Sequence, residues 1–126
     1  MKFLNTNSVM ERNVLIYDNS CAYANYIKQK LGREFDFEKH RAFRNSENID
    51  FKKYGAVIFI LNSEIELLDL MWILNKTKNL LFYSKFKKIN ERLDQIESIK
   101  LLDFSKSKIE IVDDIQMNLT LATVFL

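Results

Sequence analysis

The residues Ala56-Val57-Ile58-Phe59-Ile60-Leu61 form an unbroken apolar run, and this run constrains the fold of the chain more than any other feature. A strand that is exposed on one face alternates between apolar and polar residues, whereas a strand covered on both faces is apolar throughout. The shorter run Val14-Leu15-Ile16-Tyr17 has the same character. Both runs therefore predict strands inside a parallel sheet that has helices above and below it.

Helical and strand patterns alternate along the rest of the chain. The spacing of Ala24, Ile27 and Leu31 predicts a helix after the first strand, and Gly32 is expected to end it. Further strands are predicted over residues 35–43, 80–84 and 99–104, the first of them nearer an edge. Further helices are predicted over residues 49–54 (short), 63–78 and 86–96, and from Ser105 or Ser107 onward. Residues 119–126 fit either the end of this last helix or a terminal strand.

Five strands alternating with helices over short connections predict an α/β domain with a parallel sheet covered on both faces. With right-handed crossovers, five such units match the flavodoxin-like doubly wound plan, in which the strand order is 2-1-3-4-5. We expect residues 1–12 to form an N-terminal arm and residues 13–126 to form the single α/β domain.

The composition argues against several functional classes. The 126 residues include no proline and only two glycines, so neither the GxGxxG nor the GxxxxGK[ST] phosphate loop can occur. A net charge of +2, from 19 basic and 17 acidic residues, is too balanced to predict a nucleic-acid partner. The chain shows no signal-peptide pattern and no apolar stretch of about 20 residues, so we expect no membrane partner. Together with the single cysteine, this favours a cytoplasmic protein.

Polar residues follow two of the predicted strands at the point where each strand ends. Asp18-Asn19 follows the first strand, and Asn62-Ser63 follows the third. Ligands of open α/β sheets bind beyond these carboxyl ends, but one carboxylate and one amide make a small catalytic set. The only histidine, His40, lies in a charged stretch, and no Cys/His cluster has metal-ligand spacing. The sequence therefore predicts no catalytic residue, no metal and no cofactor.

The order and lengths of these elements over residues 13–126 resemble the receiver domain of bacterial response regulators. Receivers carry an acidic pair after the first strand, a phosphoryl-accepting Asp after the third, a Ser or Thr after the fourth, and Lys-Pro after the fifth. The resemblance places the following residues at these positions, in the same order: Asp18 and Asn19; Ile60 or Asn62; Ser84; and Asp103.

The matched residues imply that phosphoryl chemistry is lost. Neither Ile60 nor Asn62 can form an aspartyl phosphate, and Lys100 or Lys106 could replace the missing lysine only with a shift. One carboxylate without a phosphate partner is also a poor Mg²⁺ site. The resemblance therefore implies a degenerate pseudo-receiver, a phosphorylation-independent regulatory domain that acts by protein–protein interaction. Its partner would be another protein or a second copy in a homodimer, and no small-molecule substrate is identified.

Two regions are candidates for the interface. Trp72 lies in a predicted helix that carries more apolar side chains than one buried stripe requires, as expected of a surface that binds a partner. In receivers, the face formed by the fourth helix, fifth strand and fifth helix commonly mediates dimers. By this resemblance, Tyr83, Phe86, Ile111 and Ile115 would lie near such a face.

An alternative function uses Cys21, which follows the first strand at the expected start of a helix. This position is similar to that of the phosphocysteine in sugar phosphotransferase IIB domains. The alternative is therefore a phosphocarrier or thiol enzyme on a related flavodoxin-like fold. Against it, the loop Asp18-Asn19-Ser20-Cys21 lacks the small and glycine-rich residues of a phosphate cradle, and a structural cysteine is the simpler interpretation.

Overall fold

The computed structural model describes residues 12–41, 49–97, 99–103 and 105–124 of the chain, and the description of the fold refers to these ranges. The predicted N-terminal arm lies outside them except for Arg12. Phe104, the last residue of the predicted fifth strand, also lies outside the described residues. No helix within the described ranges is both long and apolar enough to cross a membrane.

Five strands form one sheet, and every neighbouring pair in it is parallel. The strands are β1 (Asn13–Asp18), β2 (Asp36–His40), β3 (Ala56–Leu61), β4 (Leu80–Ser84) and β5 (Ile99–Asp103). Their order across the sheet is β2-β1-β3-β4-β5. This order confirms the predicted flavodoxin-like doubly wound fold, in which the chain reverses its direction of winding after β2.

Four α-helices follow strands of the sheet. They are α1 (Ala22–Leu31), α2 (Leu67–Ile73), α3 (Lys87–Leu93) and α4 (Lys108–Val124). Two 3-10 turns, Phe51–Lys53 and Glu64–Glu66, precede β3 and α2. The predicted helix over residues 63–78 is too long, because the chain leaves the helix after Ile73 in a turn closed by Lys76 N–H on Ile73 O at 2.9 Å. Of the C-terminal segment 119–126, residues 119–124 are helical and continue α4, and residues 125 and 126 lie outside the described residues.

The unbroken apolar run of β3 supplies two separate cores. Successive side chains of a strand point to opposite faces, so Ile58 and Ile60 face the core formed with α1 and α4. Val57 and Phe59 face the core formed with the first 3-10 turn, α2 and α3. All six residues of β3 are buried, as predicted for a central strand. Strand β2, at the edge, has no fully buried residue.

We expect Ile58→Ala to lower the free energy of unfolding by about 2–5 kcal/mol, because it removes buried methyl groups and leaves a cavity in the central strand. Ile109 provides a matched control, since its side chain is exposed on α4. Ile109→Ala should change the free energy by less than about 0.5 kcal/mol. Urea denaturation followed by circular dichroism measures both, and equal losses would contradict the assignment of β3 to the core.

Candidate functional site

The predicted site residues lie at one edge of the sheet, where the parallel strands end. The register pairs Asp18 with Ile60 across β1 and β3. Ser84 pairs with Leu61 on one side and with Asp103 on the other. The strand ends therefore meet as the sequence predicts, and the chemistry of the site depends on where their side chains point.

The carboxylate of Asp18 is bound by the chain itself. The residue is 2% exposed. Its Oδ1 accepts hydrogen bonds from Ser20 N–H at 3.2 Å and from Ser20 Oγ at 2.8 Å. Its Oδ2 accepts from the backbone N–H groups of Tyr23 and Ala24, both at 3.0 Å. Cys21 occupies the N-cap position of α1, but the carboxylate that satisfies the helix start is that of Asp18.

Asn62 closes the site from the end of β3. Its Nδ2 donates to Asp18 Oδ1 at 2.8 Å and approaches the carbonyl oxygen of Ile60 at 3.3 Å. The side chain of Ile60 points into the core beside α1 and α4, where it is buried. Of the two residues predicted at the phosphoryl-acceptor position, Asn62 therefore contacts Asp18 and Ile60 does not reach the site.

A second set of buried polar groups lies between the strand ends and α2, and sequence reasoning missed it. Tyr17 Oη donates to Asp69 Oδ2 at 2.6 Å, and Asn19 Nδ2 donates to Tyr17 Oη at 3.3 Å. Glu66 accepts from Asn62 N–H at 3.1 Å and from Ser63 Oγ at 2.9 Å. Glu66 and Asp69 are both buried. The sequence signal for Glu66 was its position three residues after Ser63, as in a capping box.

Burial of the Tyr17 ring raises the pKa of its phenol far above the usual value, and the hydrogen bond to the Asp69 carboxylate raises this pKa further. Burial likewise raises the pKa of Tyr83, with a smaller contribution from the charge of Asp114. Both phenols are therefore protonated donors over the ordinary pH range. Tyr83 uses its hydroxyl to donate to the carbonyl of Ile111 at 3.2 Å.

The remaining pocket residues make local contacts. Ser84 is buried, and its Oγ accepts from Phe86 N–H at 2.9 Å. Asp103 is exposed and accepts from Ser105 Oγ at 2.6 Å and from Ser105 N–H at 2.9 Å, which lowers the pKa of its carboxyl group. This turn repeats the pattern of Asp18 with Ser20. It places a carboxylate where the resemblance requires a lysine.

Neither lysine considered as a substitute lies at the site. Lys106 Nζ forms a 2.9 Å ion pair with Asp114 Oδ2 on α4. Lys100 lines an open cavity of about 500 Å³ whose walls include the first residues of β3 and β4 and the last turns of α4. This cavity lies at the amino edge of the sheet, on the opposite side from Asp18. Among the described residues, no group of three or more His, Cys, Asp or Glu side chains could hold a metal ion.

Cys21 begins α1 in a left-handed conformation, with φ of 62°. The backbone N–H groups around it already have acceptors. Cys21 N–H donates to Asp18 O at 3.1 Å, and Ala22 N–H donates to Ser20 Oγ at 3.3 Å. The next two are taken by Asp18 Oδ2. A phosphate binds a helix start through free backbone N–H groups. The start of α1 offers none of these groups to an anion, and the negative carboxylate of Asp18 would repel it.

Three of the predicted interface residues are wrong as docking residues. Tyr83, Ile111 and Ile115 are buried in the core shared with α1 and α4, so their side chains cannot contact a partner. The resemblance placed these residues near a surface, but Ile111 and Ile115 belong to the core-facing stripe of α4. Phe86 and Trp72 are partly buried and pack against the other core.

No protein-family model, curated protein or solved structure matches this chain. The receiver resemblance therefore rests on the order and lengths of the elements, and most of the receiver residues at the strand ends are replaced. Because the flavodoxin-like fold hosts many unrelated functions, the function of this chain depends on its own side chains and not on the fold alone.

We expect Asp18→Asn to destabilise the fold. The substitution replaces one carboxylate oxygen by an NH₂ group, and this group would face the donors that now bind that oxygen. The free energy of unfolding should fall by about 1.5–3 kcal/mol, as for lost hydrogen bonds to a charged group. Asp103→Asn alters the corresponding Asp–Ser turn at an exposed position and should lower the free energy of unfolding much less. Urea denaturation of both variants tests this, and comparable losses would show that Asp18 does not anchor α1.

Stability should fall at alkaline pH because of Tyr17 and Tyr83. Their folded pKa values are raised, so their contribution is complete below pH about 10, where unfolded tyrosine also stays protonated. Above that pH the unfolded chain loses protons that the folded chain keeps, and stability falls by about 1.4 kcal/mol per pH unit for each tyrosine. Urea denaturation between pH 9 and about 11 measures this slope.

Tyr17→Phe and Tyr83→Phe should each make the alkaline slope shallower by about 1.4 kcal/mol per pH unit. The double variant should lose both contributions. If neither single variant changes the slope, these phenols do not resist ionisation in the folded protein.

Proposed function

We propose that this chain is a receiver-like regulatory domain that acts through protein–protein contact and without phosphoryl transfer. The observation that supports the proposal most directly is the 2.8 Å hydrogen bond from Asn62 Nδ2 to Asp18 Oδ1. It joins the two positions that would hold the phosphoryl acceptor and the metal-binding acid of a receiver. A cytoplasmic location belongs to the same proposal, since receivers respond to cytoplasmic partners.

The electrostatics of Asp18 support the loss of metal binding. Both carboxylate oxygens already accept hydrogen bonds, from Ser20, Tyr23, Ala24 and Asn62. A Mg²⁺ ion prefers octahedral oxygen ligands and gives up its water reluctantly, so it would have to displace these donors for a single charged ligand. The internal donors give Asp18 a structural role in place of a catalytic one.

The covalent step lacks its nucleophile. A carboxylate attacks phosphorus through an oxygen that carries negative charge, whereas the amide of Asn62 is neutral and uses its nitrogen as a donor. Ser84, which matches the hydroxyl that would sense a phosphoryl group, is buried and accepts from Phe86 N–H. Both ends of the phosphorylation mechanism are therefore engaged in structural contacts.

The alternative, a phosphocarrier or thiol enzyme using Cys21, has weaker support. Cys21 is partly exposed and lies in an unusual backbone conformation at a helix start, as reactive cysteines often do. Its surroundings argue against phosphate, since Asp18 Oδ2 accepts the N–H groups of Tyr23 and Ala24 and carries the charge that a phosphate would carry. A single experiment separates the two functions.

The protein is incubated with Mg²⁺ and either acetyl phosphate or beryllofluoride, and amide NMR shifts and the intact mass are recorded. We expect no saturable shifts at Asp18, Asn62 and Ser84, because the internal donors leave no open ligand position. We also expect no phosphoryl adduct. Saturable shifts at these residues would overturn the proposal, and an adduct on Cys21 would favour the phosphocarrier.

Asn62→Asp provides the sensitivity control for this experiment. It places a second carboxylate beside Asp18 in place of a donor, so the variant should be less stable without metal and should gain stability with Mg²⁺. The wild-type protein should show no such gain. A metal-dependent rise in the melting temperature of both proteins would mean that Asn62 does not close the site.

A further inference from the structure

Three large apolar side chains are exposed along the outer face of the α2 region. Ile65, Leu68 and Met71 are 67%, 53% and 68% exposed, and we call them the α2 strip. The opposite face of the same segment is buried through Leu70 and Ile73. Single exposed apolar residues are common on folded proteins, but a contiguous apolar patch marks a surface that binds a partner. The three-residue spacing of these side chains places them next to one another on the helix surface.

Charges of opposite sign flank the α2 strip. Glu64 is exposed at its start. At its other end, the ammonium group of Lys76 lies 3.9 Å from the centre of the Trp72 ring and donates to Trp72 O at 2.9 Å. The ammonium group therefore lies beside residue 72, one helical turn before the Cα atom of Lys76. The strip runs from a negative group to a positive one over its own length.

We propose that the α2 strip is the contact through which two copies of this chain form an antiparallel dimer. The inference rests on the proposed function and names the partner, a second copy of the same chain. With a two-fold axis at Leu68, Ile65 of one copy faces Met71 of the other. Glu64 then faces the level of Trp72, where the ammonium group of Lys76 of the second copy lies. The axis generates this charge pair twice.

Charge complementarity of the strip with itself favours a second copy over an unrelated protein. A contact made by the same surface on both partners closes at two subunits. Within the described ranges, the other large apolar side chains that are exposed belong to Ile109, Met117 and Leu121 on α4, which covers the opposite face of the sheet. A contact between the α2 strip and α4 would join unlike surfaces and would give rings or open chains instead of a dimer with two-fold symmetry.

The dimer is expected to be weak, because one short helical segment covers less than the roughly 800 Å² per partner of a standard interface. Sedimentation velocity from about 10 µM to about 1 mM covers the range in which such a contact dissociates. Trp72, the only tryptophan of the chain, lies beside the strip, so its emission should change over the same concentrations.

Substitutions at two methionines of similar exposure distinguish association through the α2 strip from association through another surface. Met71→Lys should raise the dissociation constant by at least about tenfold, since it places a charged ammonium group against the apolar side chain of Ile65 at both ends of the contact. Met117→Lys, on α4, should leave the dissociation constant unchanged. Loss of association in the Met117 variant alone, or a wild-type protein that is monomeric throughout the range, overturns the dimer.

A charge exchange tests the antiparallel geometry. Glu64→Lys and Lys76→Glu should each weaken self-association, because each brings like charges together twice. An equal mixture of the two single variants should associate better than either alone, since both charge pairs are then complementary. If the mixture behaves as the average of its components, the antiparallel pairing is wrong.

These results are independent of the test of the proposed function. If the protein is monomeric and beryllofluoride causes no shifts at the strand-end site, the proposed dimer is wrong and the proposed phosphorylation-independent function stands. A dimer that responds at Asp18 and Asn62 keeps the interface and loses the proposed function.

Discussion

The fold at the carboxyl edge of the sheet depends on the buried carboxylate of Asp18. Its two oxygens join three segments: the end of β1, the first turn of α1 and, through Asn62, the end of β3. A buried charge is costly unless it is fully paired with donors, and here backbone amides, a hydroxyl and a side-chain amide supply them. The hydrogen bonds that stabilise the charge of Asp18 also fix the relative positions of the three segments. The need to pair this buried charge with donors therefore determines how the strand ends and α1 are arranged.

Carboxylates accept hydrogen bonds at or next to three of the helix starts around this end of the sheet. The Asp18 carboxylate satisfies the start of α1, Glu66 binds Asn62 and Ser63 at the turn before α2, and Glu110 binds Ser107 at the start of α4. In a site that takes phosphate, such N–H groups are left for the ligand. At the start of α1 the carboxylate of Asp18 occupies them, so this helix start is satisfied without a ligand and is electrostatically unfavourable for an anion.

Sequence reasoning predicted the sheet because its signals are local and strong. The apolar runs of β1 and β3, together with the alternation of strands and helices, are enough to give a doubly wound order. It did not predict the contact between Asn62 and Asp18, since that depends on how the loop after Leu61 turns its first side chain. It also misplaced Ile111 and Ile115. Their placement came from the resemblance to receivers, which does not distinguish the buried side chains of α4 from exposed ones such as Ile109 and Met117.

Helix α2 connects the closed edge with the outer surface of the molecule. On its inner side, Asp69 accepts from Tyr17 at 2.6 Å, and Glu66 in the 3-10 turn before the helix accepts from Asn62 N–H at 3.1 Å. The helix and this turn are therefore attached to the ends of β1 and β3. On its outer side it carries the α2 strip. A ligand can shift such a helix only by binding one of its two positions better than the other. Since Asn62 and the helix-start amides are already bound to Asp18, the edge offers a ligand little to compete for. We therefore expect the α2 strip to stay exposed whether or not a ligand is present. Its proposed self-association would then depend on protein concentration alone.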